Sequence, residues 1–177
     1  PRKGHVGDFS EYEIDIDALM TEIVLPDCPP PLFAVGHSMG GAVLLNLARK
    51  GTRWFDRVVL SAPMIALAGS RGSALSKMGV TAMRAIGLGS SYIPGGSSVP
   101  VATGAFIGNR ATSDPVRYAR TKAVLEMEPG LGIGSPTVSW TSAAYRAIDE
   151  FAHPAFTTKI RQPLMLIAAG RDEVAST

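Results

Sequence analysis

Cysteine is almost absent from this sequence: Cys28 stands alone, set among prolines in "PDCPPP". One thiol forms no internal disulfide and builds no cysteine-rich metal site, so no metal is expected. A lone loop cysteine reads as an incidental thiol and fits a reducing, cytoplasmic setting. An excess of charge of one sign is lacking too. Seventeen Lys and Arg against fifteen Asp and Glu leave a formal net charge of +2 over 177 residues. No basic stripe is visible, and no nucleic-acid partner is expected. No apolar run reaches the roughly eighteen residues of a membrane-spanning helix. Repeats are missing. "GLGIG" at 130–134 has neither the spacing nor the preceding strand of a dinucleotide loop, so no nucleotide cofactor is expected.

What is there is the composition of a globular protein: 46% hydrophobic and 18% charged, with both signs interspersed. The length suffices for one domain with a sizeable core, or for most of a larger one. "SEYEIDIDALMTEIVL" at 10–25 reads as an amphipathic helix with Tyr12, Ile16, Leu19, Met20 and Ile23 on one face. Ser10 followed by Glu13 suggests a capping box, and the proline cluster after it ends the helix. "LFAV" then reads as a short buried strand, "MGGAVLLNLARKG" as a helix stopping at Gly51, and "DRVVLSAP" as a second buried strand. "QPLMLIAAG" near the C-terminus gives a third. Strand, helix, strand and a later apolar strand are the mark of an α/β fold with a parallel sheet.

Between the second and third strands lie about a hundred residues of another character, rich in Gly, Ser, Ala and Met at first. A helix is expected near 74–86. Another begins at Ser113 or Asp114 with Pro115 in its first turn and stops at Pro129–Gly130. A third follows Pro136, with Trp140, Ala144, Ile148 and Phe151 along one stripe. The expected organisation is a core over 1–63, a helical insertion over 64–158 seated on the sheet, and a returning core strand over 159–177.

The stretch that bears chemistry is "GHSMG", residues 36–40, a G-x-S-x-G turn between a strand and a helix. A serine hydroxyl is a weak nucleophile and must project clear of the backbone toward a base and a carbonyl. A tight strand-to-helix turn achieves that at Ser38. Gly36 and Gly40 are expected because a Cβ at either position would collide as strand and helix close up. The helix starting at Met39 offers its backbone N–H and its dipole to an oxyanion. Asp172, in "LMLIAAGRDEV", follows the last apolar strand, where open α/β sheets place functional groups. It is the candidate for orienting a histidine, with Glu173 as the neighbouring alternative and a plain turn-capping role as the structural one. The histidine itself is the missing part. None of His5, His37 and His153 follows Asp172, and none stands where the order Ser, Asp, His requires it.

These residues resemble the α/β-hydrolase superfamily, and within it the serine hydrolases related to bacterial lysophospholipases and monoacylglycerol lipases, a serine aminopeptidase-like branch. "RKGHVGDFSEYEIDIDAL" is similar to that branch's loop and helix ahead of the elbow strand. "VGHSMGGAVLLNLA" is similar to the elbow, and "SDPVRYARTKAVLEMEPGLGIGSPTVSWTSAAY" to the helical cap. The resemblance implies an ester hydrolase acting on a small-molecule monoacyl lipid. Ser38 would be the nucleophile, Met39 N–H one oxyanion donor and Asp172 the triad acid. It also implies a second oxyanion donor before Pro1 and a triad histidine about 25 to 35 residues beyond Asp172. The chain is then expected to be incomplete at both ends and inactive by itself. Leu75, Met78, Val80, Met83, Ile86, Leu88 and Ile93 are candidates for an apolar acyl site or simply for cap packing. Peripheral contact with a membrane would suit a lipid substrate, although no basic amphipathic helix is apparent in the sequence. Rival readings are a peptidase, thioesterase or carbon–carbon bond hydrolase on the same fold, or a non-catalytic binding protein. Acyl length, head group and oligomeric state are not legible.

Overall fold

The computed structural model describes residues 2–51, 54–67 and 73–175. In chain order its elements are β1 (Arg2–Gly4), α1 (Ser10–Leu19), a π-helical turn (Met20–Val24), α2 (Leu25–Asp27), β2 (Phe33–His37), α3 (Met39–Lys50) and β3 (Arg57–Ser61). There follow α4 (Ala74–Ala85), α5 (Pro115–Met127), β4 (Ile133–Pro136), α6 (Val138–Phe151) and β5 (Leu164–Ile167). The chain divides into two compact units. One comprises Pro1–Gly7 and Ser73–Ser142, the other Asp8–Gly72 and Ala143–Thr177.

The larger unit is built on a parallel three-stranded sheet in the order β2-β3-β5. Register is continuous: Phe33 pairs with Arg57 and His37 with Ser61, while Val58 pairs with Leu164 and Ser61 with Ile167. Side chains alternate between the two faces of a strand. Ala34, Gly36, Val58, Leu60 and Leu164 therefore share one face. That face is covered by α3 through Leu44, Leu45 and Leu47, with Phe156 completing the core. The other face carries Phe33, Val35, Val59 and Met165, and there Val35 is 76% and Phe33 63% exposed. Only β3 comes close to the buried strand that its apolar sequence suggests. β2 and β5 are the outer strands of this sheet, and their exposure corrects the expectation of burial throughout.

α3 ends as expected. Gly51 adopts φ +82°, a left-handed conformation that a glycine enters without a Cβ clash, and its N–H closes on Ala48 O. The first helix departs from expectation in two ways. Its start is organised by Asp8 rather than Ser10. Asp8 Oδ1 accepts from the Ser10 backbone N–H at 3.0 Å and from the Ser10 hydroxyl at 2.8 Å, while Asp8 N–H donates to Glu11 Oε1 at 2.9 Å. Glu13 is instead buried and paired with Lys50 Nζ at 2.5 Å. The expected apolar face is also split. Met20 is buried and Tyr12 and Ile16 are half-buried, but Leu19 and Ile23 are exposed. The π turn over Met20–Val24 shifts the helical phase, so a stripe laid out for one period does not stay on one side.

In the smaller unit, β1 and β4 form a two-stranded parallel sheet; residues expected to be loop are therefore a strand. Asp114 caps α5, accepting the N–H groups of Val116 at 2.8 Å and Arg117 at 3.2 Å. Ser73 caps α4 through its side chain. Of the residues proposed as an acyl lining, Leu75, Met78, Ile86 and Leu88 are exposed and Val80 is buried. α6 runs across the division. Its Ala143, Ala144 and Ala147 are buried more fully than the Trp140, Ile148 and Phe151 of the expected stripe.

Candidate active site

Ser38 occupies the single residue between β2 and α3. Its backbone lies at φ +49°, ψ −115°, a region in which L-residues are strained. Three hydrogen bonds hold it there. Ser38 N–H donates to Ser61 O at 3.0 Å, while Ser38 O accepts from Ala42 N–H at 3.2 Å and from Met64 N–H at 3.0 Å. The turn is thus clamped between the first turn of α3 and the loop leaving β3. That loop is strained as well, with Ala62 at φ +42° and its N–H bonded to Ile167 O at 2.8 Å.

Serine at a helix N-cap ordinarily turns its hydroxyl onto the N–H groups of the first turn. Ser38 does not, and its hydroxyl makes no hydrogen bond among the described residues. A half-buried hydroxyl held on a strained turn and excluded from capping is free for another partner. Met39, Gly40 and Gly41 follow as the first residues of α3, whose N–H groups have no acceptor four residues back. They supply the positive end of a twelve-residue helix beside the hydroxyl.

The glycines of the turn divide differently from the sequence reading. A Cβ on Gly36 would lie 2.7 Å from Leu44 Cδ1, 2.8 Å from Gly40 O and 2.9 Å from Gly40 C, so the expectation at Gly36 stands. At Gly40 a Cβ would meet nothing within 4 Å, and the expected collision there is corrected. Gly40 contributes through its backbone, which the helix brings against Gly36, while its own Cα hydrogen faces open space. The second sterically required glycine is Gly41, where a Cβ would come within 2.8 Å of Pro63 Cβ. The doublet "GG" after Met39 was the available signal. Ser61, Ala62 and Met64 left none, because they act through backbone groups whose partners are remote in sequence.

Asp172 lies five residues beyond the end of β5, half-buried. Its Oδ1 accepts the N–H groups of Val174 and Ala175, both at 2.8 Å. Ala175 in turn forms an antiparallel bridge with Leu67. One carboxylate oxygen therefore organises the local turn, and Oδ2 has no partner among the described residues. Ser38 and Asp172 leave strands on either side of β3, whose Ser61 pairs with both His37 and Ile167. Two strand spacings, about 10 Å, separate those strand ends. Glu173 is exposed.

Each histidine is engaged elsewhere. His37 Nδ1–H donates to Ser61 O at 3.1 Å, sharing that carbonyl with the Ser38 N–H, so it braces the turn from the strand side. His5 Nδ1 meets Thr137 Oγ1 at 2.8 Å. His153 Nδ1 accepts Ala155 N–H at 3.2 Å and shapes the turn after α6. Beside the elbow, an apolar groove of about 560 Å³ runs along the outer side of β2, lined by Ile16, Met20, Phe33, Val35, Met39 and Phe55 among others. Among the described residues no cluster of three or more His, Cys, Asp or Glu side chains is placed to hold a metal ion. No helix among them is long and apolar enough to cross a membrane.

The chain is similar in sequence and in fold to known proteins. Lysophospholipase L2 of Escherichia coli K12 is 25% identical over 155 residues, which are 85% of this chain and 44% of that protein. A probable lysophospholipase L2 of Haemophilus influenzae is 21% identical over 174 residues, 98% of this chain and 54% of its own length. The chain thus spans about half the length of the curated relatives it matches. Among solved structures, the monoacylglycerol lipase of Paleococcus ferrophilus superposes with a TM-score of 0.63 at 18% identity, over 92% of this chain and 54% of that one. A soluble variant of the Saccharomyces cerevisiae monoglyceride lipase, solved with a substrate analog, gives 0.63 at 17% identity, over 99% of this chain and 54% of that one. The family model described as serine aminopeptidase, S33, matches residues 1–177. With its parallel sheet and serine elbow, the chain has the α/β-hydrolase fold and belongs to the serine aminopeptidase S33 family of hydrolases.

Proposed function

We infer that this chain carries the nucleophile and the acid of a serine ester hydrolase for monoacyl lipids, lysophospholipid or monoacylglycerol. The observation that carries the reading is Ser38 itself: φ +49°, clamped by three backbone hydrogen bonds, with its hydroxyl withheld from helix capping. In this mechanism the Ser38 oxygen attacks the ester carbonyl as its proton passes to a histidine. The negative charge forming on the carbonyl oxygen is met by Met39 N–H at the start of α3. Asp172 Oδ2, the oxygen not committed to its own turn, accepts from that histidine and stabilises the imidazolium. The protonated histidine then delivers its proton to the leaving alcohol, and water releases the acid by the reverse sequence. None of His5, His37 and His153 is free for this role, so the histidine is supplied from outside these 177 residues.

The lipid part of the reading draws on the similarity to lysophospholipases and monoacylglycerol lipases. Peptide substrates are the rival, since the family description names an aminopeptidase. The test is a matched panel of a monoacylglycerol, a lysophosphatidylcholine and an aminoacyl amide, given to the protein with its natural flanking sequence. Turnover of the monoacyl esters is expected, with Ser38→Ala lowering it by about 10⁴-fold or more. Preference for the amide would replace the lipid reading. Turnover by the 177-residue chain alone would disprove an external histidine.

A further inference from the structure

We propose that the cavity between α1, α3 and α6 is a site for bound water that completes the hydrogen bonding of Asn46 and Arg49. Asn46 stands in the middle of α3, between the core residues Leu45 and Leu47, and is only 6% exposed. An asparagine inside a helix is unfavourable, because its amide competes with the backbone for hydrogen bonds. Here the amide finds no protein partner to offset that cost. Its Oδ1 is buried and unpaired among the described residues, and so is Arg49 Nε, three residues further along the helix. Native proteins rarely leave buried polar atoms in that condition. Both residues line one cavity of about 80 Å³. Every residue lining it belongs to the larger unit, so the site is complete within one compact body.

The charges around the cavity select its occupant. Glu13 of α1 meets Lys50 of α3 at 2.5 Å, and Arg49 of α3 meets Glu150 of α6 at 2.6 Å. Arg146 of α6 meets Asp8, just ahead of α1, at 3.1 Å. One ion pair thus crosses each side of the triangle made by the three helices. These are the six charged side chains of the lining, and each is matched by one of opposite sign. An added anion or cation would meet no unmatched charge, and its desolvation would go uncompensated. The Ser10 hydroxyl is engaged as well, donating to Asp8 Oδ1 at 2.8 Å. The two orphaned atoms are complementary: Asn46 Oδ1 accepts, and Arg49 Nε–H donates. The occupant is therefore small, neutral and both donor and acceptor, which describes water. One water molecule needs roughly 10 to 15 Å³, so the cavity takes one or a few. Arg49, Arg146 and Glu150 also line a broader surface pocket of about 490 Å³, which gives solvent a way in. No pattern in the sequence signals this site, because its walls are drawn from positions 8 to 150.

This inference goes beyond the hydrolase reading and does not depend on turnover, so a protein without esterase activity can still pass its test. Water-selective NMR is applied to the protein with its natural flanking sequence and read at the Arg49 Nε–H and the Asn46 side-chain amide. Magnetisation transfer from a long-lived water is expected at both groups. Asn46→Leu keeps the side-chain volume and removes the acceptor, and it should lower the transfer at Arg49 Nε–H several-fold with circular dichroism unchanged. A crystal structure fine enough to resolve ordered water should show density within hydrogen-bond distance of Asn46 Oδ1 and Arg49 Nε. Absence of transfer at both groups in the unsubstituted protein overturns the proposal, and that measurement decides the matter even if the variant fails to fold. A direct bond from Arg49 Nε–H to Asn46 Oδ1 also overturns it, as does transfer that a folded Asn46→Leu protein leaves undiminished. Density too large for water would assign the cavity to a small neutral ligand and overturn it equally.

Discussion

The two faces of the β2-β3-β5 sheet are made of similar side chains and have opposite fates. Ala34, Val58, Leu60 and Leu164 are packed beneath α3 and Phe156. Phe33, Val35 and Met165, one residue out of phase on the same strands, are open. Hydrophobicity therefore records what a face is suited to, and burial depends on what lies over it. Parallel sheets normally have both faces covered, which is why their strands read as continuous apolar runs. Here the apolar groove follows the outer edge of β2 and touches both faces, Phe33 and Val35 on one side and Ala34 and Leu44 on the other. The elbow belongs to the covered one: Gly36 points into it, and α3, which covers it, begins directly after Ser38.

Unfolding by urea can break this comparison. The largest effect is expected at the centre of the covered face, where Leu60→Ala should cost about 2 to 5 kcal/mol. Its counterpart on the open face, Val35→Ser, should stay within about 0.5 kcal/mol. Equal losses at the two positions would mean that the open face is covered in solution. Next comes the elbow. Gly36→Ala places a Cβ against the Gly40 backbone and should cost about 1 to 3 kcal/mol, and Gly41→Ala a similar amount against Pro63. Gly40→Ala, where a Cβ meets nothing within 4 Å, should instead gain up to about 1 kcal/mol, because alanine suits a helix better than glycine. A loss there comparable to Gly36→Ala would refute the assignment of steric demand.

The smallest effect concerns Asp8 at the start of α1. The Ser10 backbone N–H, helped by the Ser10 hydroxyl and the Arg146 guanidinium, holds its carboxyl below the usual carboxylate value, against the opposing effect of partial burial. A lowered folded-state value means stability that is present above the unfolded pKa and lost as pH falls through the folded one. Asp8→Asn should therefore be slightly less stable than the parent near neutral pH, and the difference should close in acid. A difference that is constant with pH would show that the hydrogen bonds matter and the charge does not.

Much of the core was legible because its determinants are local. The strands at 33–37, 57–61 and 164–167 and the helices at 39–50, 74–85 and 115–127 follow from apolar runs, periodicity, prolines and caps. Gly51 as a stop and Asp114 as a cap needed no knowledge of the fold. The capping of α1 was misplaced by two residues because Asp8 and Ser10 are both good caps; Asp8 also pairs with Arg146, 138 residues away, a contact no local pattern reveals. β1 and β4 were missed because neither three- nor four-residue strand has a period to detect, and each exists through pairing with the other.

The sequence by itself determined the identity of the elbow, since a serine between glycines at a strand-to-helix junction is a short-range pattern enforced by sterics within ten residues. It also determined the candidate acid, as a carboxylate just past an apolar strand. Only the tertiary structure decided which glycines the turn requires. Gly41 is constrained by Pro63 and Gly40 by nothing, and that difference arises from the loop after β3 closing on α3. Only the tertiary structure, likewise, decided which sheet face is covered. A side chain's chemistry is written at its own position, whereas its exposure is written by neighbours remote in the chain.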